Sequence, residues 1–293
     1  MDTLQTPSSA PAANLPIRKL QVDLSQGFER HWFKRADGSG DAFRTAYNNA
    51  LSMSFPAGEQ LFIDSVKRVM HKLPDDAAHA PMRETIRDFC AQEATHRHVH
   101  AQFNTQLERQ GFINHLEPRI WARFKRWEHI NPMHHLGVTV AYEHYTAVMS
   151  DVLLRCETAT QDMSPEMRQV WRWHALEETE HKAVAFDLYQ ALDGSYGWRI
   201  RYFVYVSIIF ALDNLRQTVN NLWHDGTLFK PSTWLSAVQF FFGRPSRGGG
   251  WIWLTARPLL DFFRRDFHPN QHDNRELAQS YAQANASNWR LVR

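Results

Sequence analysis

The sequence has few cysteines, no long apolar run and almost no net charge. Its 293 residues include two cysteines, Cys90 and Cys156. They form no CxxC pair and no zinc-ligand spacing, and both fall where the chain reads as helix. They are expected to be small buried core residues, and nothing requires an oxidising compartment. The longest apolar run, Tyr202 to Leu212, is 11 residues, against the ~20 needed to span a bilayer. The opening MDTLQTPSSAPAANLP has neither the basic nor the apolar region of a secretory signal. A cytoplasmic protein without a transmembrane segment is the expectation. Formal net charge is +2 with histidines neutral, which gives no electrostatic case for nucleic acid. No segment alternates with period two and no internal repeat is evident, so the expected fold is all-α.

The excess lies in histidine and tryptophan, 16 and 11 residues. Residues 1–27 are expected as a flexible N-terminal tail. A helical bundle is expected over 28–195, and a C-terminal helical extension packed on it over 196–293. Within the bundle, helices are expected from Asp41 to about Met53, then, after a break at Ser54–Gly58, to about His71. Others run over 81–110, 134–158 and, without glycine or proline, from Glu166 to Leu192. The last of these carries a heptad seam: Met167, Trp171, His174, Glu178, His181, Ala185, Leu188. Its ends are apolar and its centre is His-Glu-His. Burying a carboxylate and two imidazoles is costly unless something pairs with them. Glu178-x-x-His181 is the inward-projecting pair of di-iron and di-manganese bundles.

The helix over 81–110 repeats the pattern. Its seam is Ile86, Phe89, Glu93, His96, His100, Phe103, Leu107, again with Glu-x-x-His at the centre. Two further seams each hold one carboxylate, Glu143 among Leu136, Val140 and Ala147, and Glu59 before Phe62, Val66 and Val69. The candidate metal ligands are therefore Glu59, Glu93, His96, Glu143, His174, Glu178 and His181, with His100 as ligand or supporting donor. Glu93 and Glu143 are 50 positions apart, against 34 from Glu59 to Glu93 and 35 from Glu143 to Glu178. One long crossover between the second and third helices is the ferritin-like four-helix topology. Spacing does not say which glutamates bridge.

With these residues in view, the chain resembles the family named predicted metal-dependent hydrolases, among the ferritin-like proteins. The likeness rests on His31-Trp32-Phe33, Phe55-Pro56-Ala57-Gly58-Glu59, Gln92-Glu93-Ala94-Thr95-His96, Glu143-His144-Tyr145-Thr146-Ala147, Trp173 through Asp187, and Asp266-Phe267-His268-Pro269. The ligand pattern is also similar to that of di-iron arylamine N-oxygenases, with His174 as the extra histidine. The resemblance implies a di-metal centre.

Other polar residues have plainer readings. Glu177 lies off the seam, and Glu180 faces away and is expected in solvent. His144 points about 100° from Glu143 and is expected against another helix. His134 and His135 open a helix and are expected at the surface or as caps. Tyr142, Tyr145 and Trp173 read as core filler. A carboxylate-rich, thiol-free site favours iron, or manganese, over zinc and copper. The leading expectation is a two-iron enzyme that uses O2 to oxidise a small, apolar or acyl substrate, served by an electron donor. A di-metal hydrolase and a non-catalytic iron-binding protein are the alternatives. The Trp/Phe-rich segment beyond Gly194 offers a cap, a pocket wall, a homodimer interface or a peripheral membrane contact.

Overall fold

The computed structural model describes residues 15–292 and is predominantly helical. Helix α1 (Ala42–Met70) starts at Asp41, whose carboxylate accepts from the Arg44 backbone N–H as an N-cap. It packs most extensively on α2 (Ala80–Arg109) and also on α4 (Pro132–Arg155). Helix α4 in turn packs on α6 (Pro165–His181) and α7 (Val184–Ala191). The long α2–α4 connection contains α3 (Leu116–Trp127), which lies on α1. A short α5 (Glu157–Thr160) precedes α6. Helices α8 (Tyr196–His224), α9 (Pro231–Phe242), α10 (Trp251–Asp261) and α11 (Arg275–Ala284) complete the chain. Helix α8 packs against both α1 and α4. It approaches α4 at Gly137, where an added Cβ would lie 2.2 Å from the Tyr202 ring.

The seams expected from heptad spacing do face one another, and they divide into three layers. One apolar cluster includes Val66, Phe89, Leu136 and Leu188. A second, farther along the same helices, includes Met53, Phe103, Leu154 and Trp171. Glu59, Glu93, Glu143 and Glu178 fall between the two clusters, one on each of α1, α2, α4 and α6. The polar centre is thus sealed at both ends by packed hydrocarbon.

Three expectations about the elements need correction. First, α1 does not break at Ser54–Gly58 but runs through Pro56. Proline deprives the carbonyl four residues earlier of its helical donor. Here a side chain replaces that donor at Ser52, and two more donate to the carbonyls beside it. Asn104 Nδ2 donates to the Ser52 carbonyl at 2.9 Å, Asn114 Nδ2 to that of Met53 at 3.0 Å, and Ser54 Oγ to that of Leu51 at 2.7 Å. Second, the helix expected over 166–192 is interrupted at Lys182-Ala183, directly after His181. Lys182 Nζ there donates to the His272 carbonyl and to Asn274 Oδ1. Third, the expected N-terminal tail is ordered from residue 15. Leu15 and Ile17 are buried, and β1 (Arg18–Leu20) pairs antiparallel with β2 (Trp289–Leu291). The rest of that tail, 1–14, lies outside the described residues. Smaller departures concern the cysteines: both are half-buried rather than buried, and Cys156 caps α4 instead of lying within it.

Asn104→Ala should lower stability by about 1–3 kcal/mol, the cost of leaving a buried carbonyl unpaired. Combining it with Pro56→Ala, which restores a backbone donor for that carbonyl, should recover part of the loss. Urea unfolding of the four proteins in this double-mutant cycle measures the coupling. Strict additivity would show that Asn104 does not compensate for Pro56.

Candidate metal centre

The ligand-type residues occupy core positions because the apolar residues at the two ends of each seam turn that face of the helix inward. All seven principal candidates are buried. They converge as two groups able to hold a metal ion: Glu59, His96 and His174, and Glu93, Glu178 and His181. Glu178 faces both. Its Oε1 is 3.1 Å from His174 Nε2 and 3.5 Å from His96 Nδ1, while its Oε2 is 3.5 Å from His181 Nε2. Glu93 does the same, with Oε2 3.8 Å from His96 Nδ1 and Oε1 3.2 Å from His181 Nε2. These two carboxylates therefore lie between the two groups. Glu59 stands at one end, and Glu143, whose Oε2 is 3.7 Å from His181 Nε2, at the other.

A metal ion fits this donor set. Both oxygens of Glu59, Glu93 and Glu143, and Oε2 of Glu178, are buried without a hydrogen-bond partner; so is His181 Nε2. Buried acceptors left this way are rare and costly. Two divalent cations would balance the four carboxylate charges. The oxygen- and imidazole-rich, thiol-free set suits such ions.

The titration behaviour follows from the same crowding. Burial pushes the Glu59 and Glu143 carboxyls well above the usual range, only partly offset by His96 and His181 respectively. Burial also acts against a charged Glu178, but His181, His174 and His96 outweigh it and hold that carboxyl well below the usual range. For His96 and His181, burial disfavours the cation, yet surrounding glutamates raise both well above an ordinary imidazole. His174 is lowered by burial and by His96. Without a cation, protons on glutamate and histidine do the neutralising.

The structure separates His100 from the ligand groups. Its Nε2 lies 2.8 Å from His174 Nδ1 and its Nδ1 2.9 Å from Ser52 Oγ, so both ring nitrogens are engaged away from the centre. It supports His174. Glu177, off the seam as expected, is nevertheless fully buried, with Oε2 3.0 Å from His96 Nε2. Glu180, expected in solvent, is half-buried and holds Arg18 through two 2.7 Å bonds. Arg18 also donates to Glu177 from its backbone N–H at 3.1 Å and from Nη1 at 3.4 Å. On the other side, His181 Nδ1 contacts Gln92 Oε1 at 2.9 Å, and Gln92 Nε2 donates to Glu180 at 3.2 Å. One guanidinium thus closes a ring of contacts behind both histidines. Gln92 and Glu177 could have been suspected, since each directly precedes a ligand-type glutamate on its helix. Arg18 had no sequence signal, being 159 residues from Glu177.

His144 contacts another helix as expected, its Nε2 3.1 Å from the Pro258 carbonyl of α10. His135, expected at the surface, is buried and contacts the Trp127 carbonyl. Trp173 packs edge-on against His96, and Tyr145 bonds Ser207 of α8.

A cavity of about 500 Å³ opens beside the centre. Glu59, His174 and Glu178 form part of its wall, and the remainder is largely apolar, including Phe62, Trp127, Val138 and Tyr142.

Fold and site together define a predominantly helical protein with a buried cluster of glutamates and histidines able to hold metal ions. The chain belongs to the family described as predicted metal-dependent hydrolase, which matches residues 16–273. No curated protein and no solved structure shows a significant match.

Two outcomes follow for metal binding. The ligands must be deprotonated to coordinate, and the protons held by Glu59, Glu143, His96 and His181 must leave. Affinity should therefore rise with pH through the neutral range, with net proton release. Calorimetry in buffers of differing ionisation enthalpy detects this; zero release at pH 7 would contradict the assigned charge states. Glu177→Gln and Arg18→Lys should weaken metal binding by roughly 10–100-fold with the helical circular dichroism preserved. Chelator competition measures the change, and unaltered affinity in both variants would remove any tuning role for the ring.

Proposed function

We propose that the protein is a two-iron enzyme that uses O2 to oxidise an extended apolar substrate. The observation that carries this reading is the apolar cavity whose wall includes Glu59, His174 and Glu178. Its lining follows α8 from Trp198 to Asn214, about 24 Å at 1.5 Å per residue. That shape suits an acyl or similar chain better than a compact polar molecule. The layered helices and the long α2–α4 connection agree with a ferritin-like bundle.

Bound iron would supply the activation of O2. The chain's own residues do the rest. Glu93 and Glu178 would contribute to both metal positions, Glu59, His96 and His174 to one of them, and Glu143 and His181 to the other. Phe62, Tyr142 and Trp127 exclude water and align the substrate. Gly58 leaves its stretch of cavity open, since an added Cβ there meets nothing within 4 Å. Electrons come from a separate donor.

The family's description favours a second reading, hydrolysis by a metal-activated water. The same ligands serve it. The apolar wall supports it less, because a hydrolytic site must admit water and a polar leaving group.

Anaerobic loading with ferrous iron should give two irons per chain, and admitting air should consume O2. Retention of zinc with no O2 uptake, together with ester or amide cleavage, would transfer the assignment to the hydrolase. Gly58→Leu should keep both metals and O2 uptake by the centre. It should also weaken the cavity's binding of an extended apolar probe such as a fluorescent fatty acid. Unchanged probe binding would dissociate the cavity from substrate recognition.

A further inference from the structure

Helices α8, α9 and α10 form an outer layer: α8 lies on α1 and α4, α9 on α1, and α10 on α4 and α9. The outward face of this layer is apolar. Phe229 is 82% exposed, Leu235 69% and Trp253 62%. Along α8, exposed Val204, Ile208, Leu212 and Leu215 follow at helical steps of four, four and three, forming one stripe. Ring contacts join the parts. Trp223 at the end of α8 meets Phe229, and Phe242 of α9 meets Trp253 of α10. So large a connected apolar face marks an interaction surface.

Charge identifies the partner. Residues 226–260 contain Lys230, Arg244, Arg247 and Arg257 and no acidic residue. All four cations are exposed. A second copy docking through the same face would bring like charges together. Tryptophan with arginine around an apolar face is what an anionic lipid surface selects. No helix among the described residues is long and apolar enough to cross a membrane, so the contact lies in the interface plane.

We propose that the α8–α10 face docks on an anionic lipid bilayer. Its aromatic and leucine side chains enter the headgroup boundary, and Lys230, Arg244, Arg247 and Arg257 engage lipid phosphates. This inference does not depend on the metal chemistry. The full chain should sediment with vesicles of phosphatidylglycerol and phosphatidylcholine, more weakly with phosphatidylcholine alone, and less at high salt. Leu235→Asp with Trp253→Asp should reduce partitioning by roughly tenfold or more. Arg244→Glu with Arg247→Glu should reduce it by roughly fivefold or more for each charge. All four substitutions are at exposed sites, and circular dichroism confirms that each variant is folded. Failure of the parent chain to bind either vesicle would overturn the proposal. So would binding indifferent to charge reversal, or a solution dimer that Leu235→Asp dissociates and that ignores vesicles.

Discussion

The constraint on which the structure depends is the cost of enclosing four carboxylates between two layers of hydrocarbon. Both apolar clusters favour packing of the helices. The layer between them works against folding unless its charge is neutralised, by protons or by cations. The electrostatics reflect that choice: Glu59 and Glu143 are driven towards the protonated form, while His96 and His181 are driven towards the charged one. A site so arranged is primed to exchange protons for metal. Folding energy and metal affinity are therefore linked in this chain.

Much of this was legible in the sequence, because heptad spacing carries both helix and facing. Glu93, His96, Glu178 and His181 interrupt apolar seams at the same step, and the structure sets them opposite one another. Glu59 and Glu143 were recoverable for the same reason, each being the one carboxylate in its seam. What spacing could not convey was anything depending on a distant segment. Arg18 reaches the centre through a strand whose partner is at the far end of the chain. His100 shares the seam of His96, yet it lies one turn farther on and meets His174. Pro56 suggested a broken helix, since local rules have no knowledge of the Asn104 amide that stands in for its missing donor.

The two sides of the centre are supported differently. His96 and His181 are backed by the ring through Glu177, Gln92 and Glu180, which Arg18 ties together. His174 is backed by neutral groups only, His100 and Ser52. It is also the histidine on the cavity wall. The side that faces the cavity thus combines a direct carboxylate support, Glu177 on His96, with a neutral one, whereas on the other side His181 rests on the neutral Gln92 amide.

The bend in α1 has a consequence for that neutral support. The Ser52 carbonyl can only accept, so the Asn104 amide must turn its NH2 towards it and its oxygen towards Ser52 Oγ. The hydroxyl then donates to Asn104 and offers a lone pair to His100 Nδ1. Burial and two neighbouring imidazoles hold His100 neutral, so its one proton sits on Nδ1 and its Nε2 is bare. With a metal ion in the centre, that nitrogen would accept from His174 Nδ1, keeping the His174 proton there and leaving Nε2 with its lone pair for the ion. A proline that costs α1 one backbone hydrogen bond thereby sets, through four side chains, the tautomer of the cavity-side imidazole.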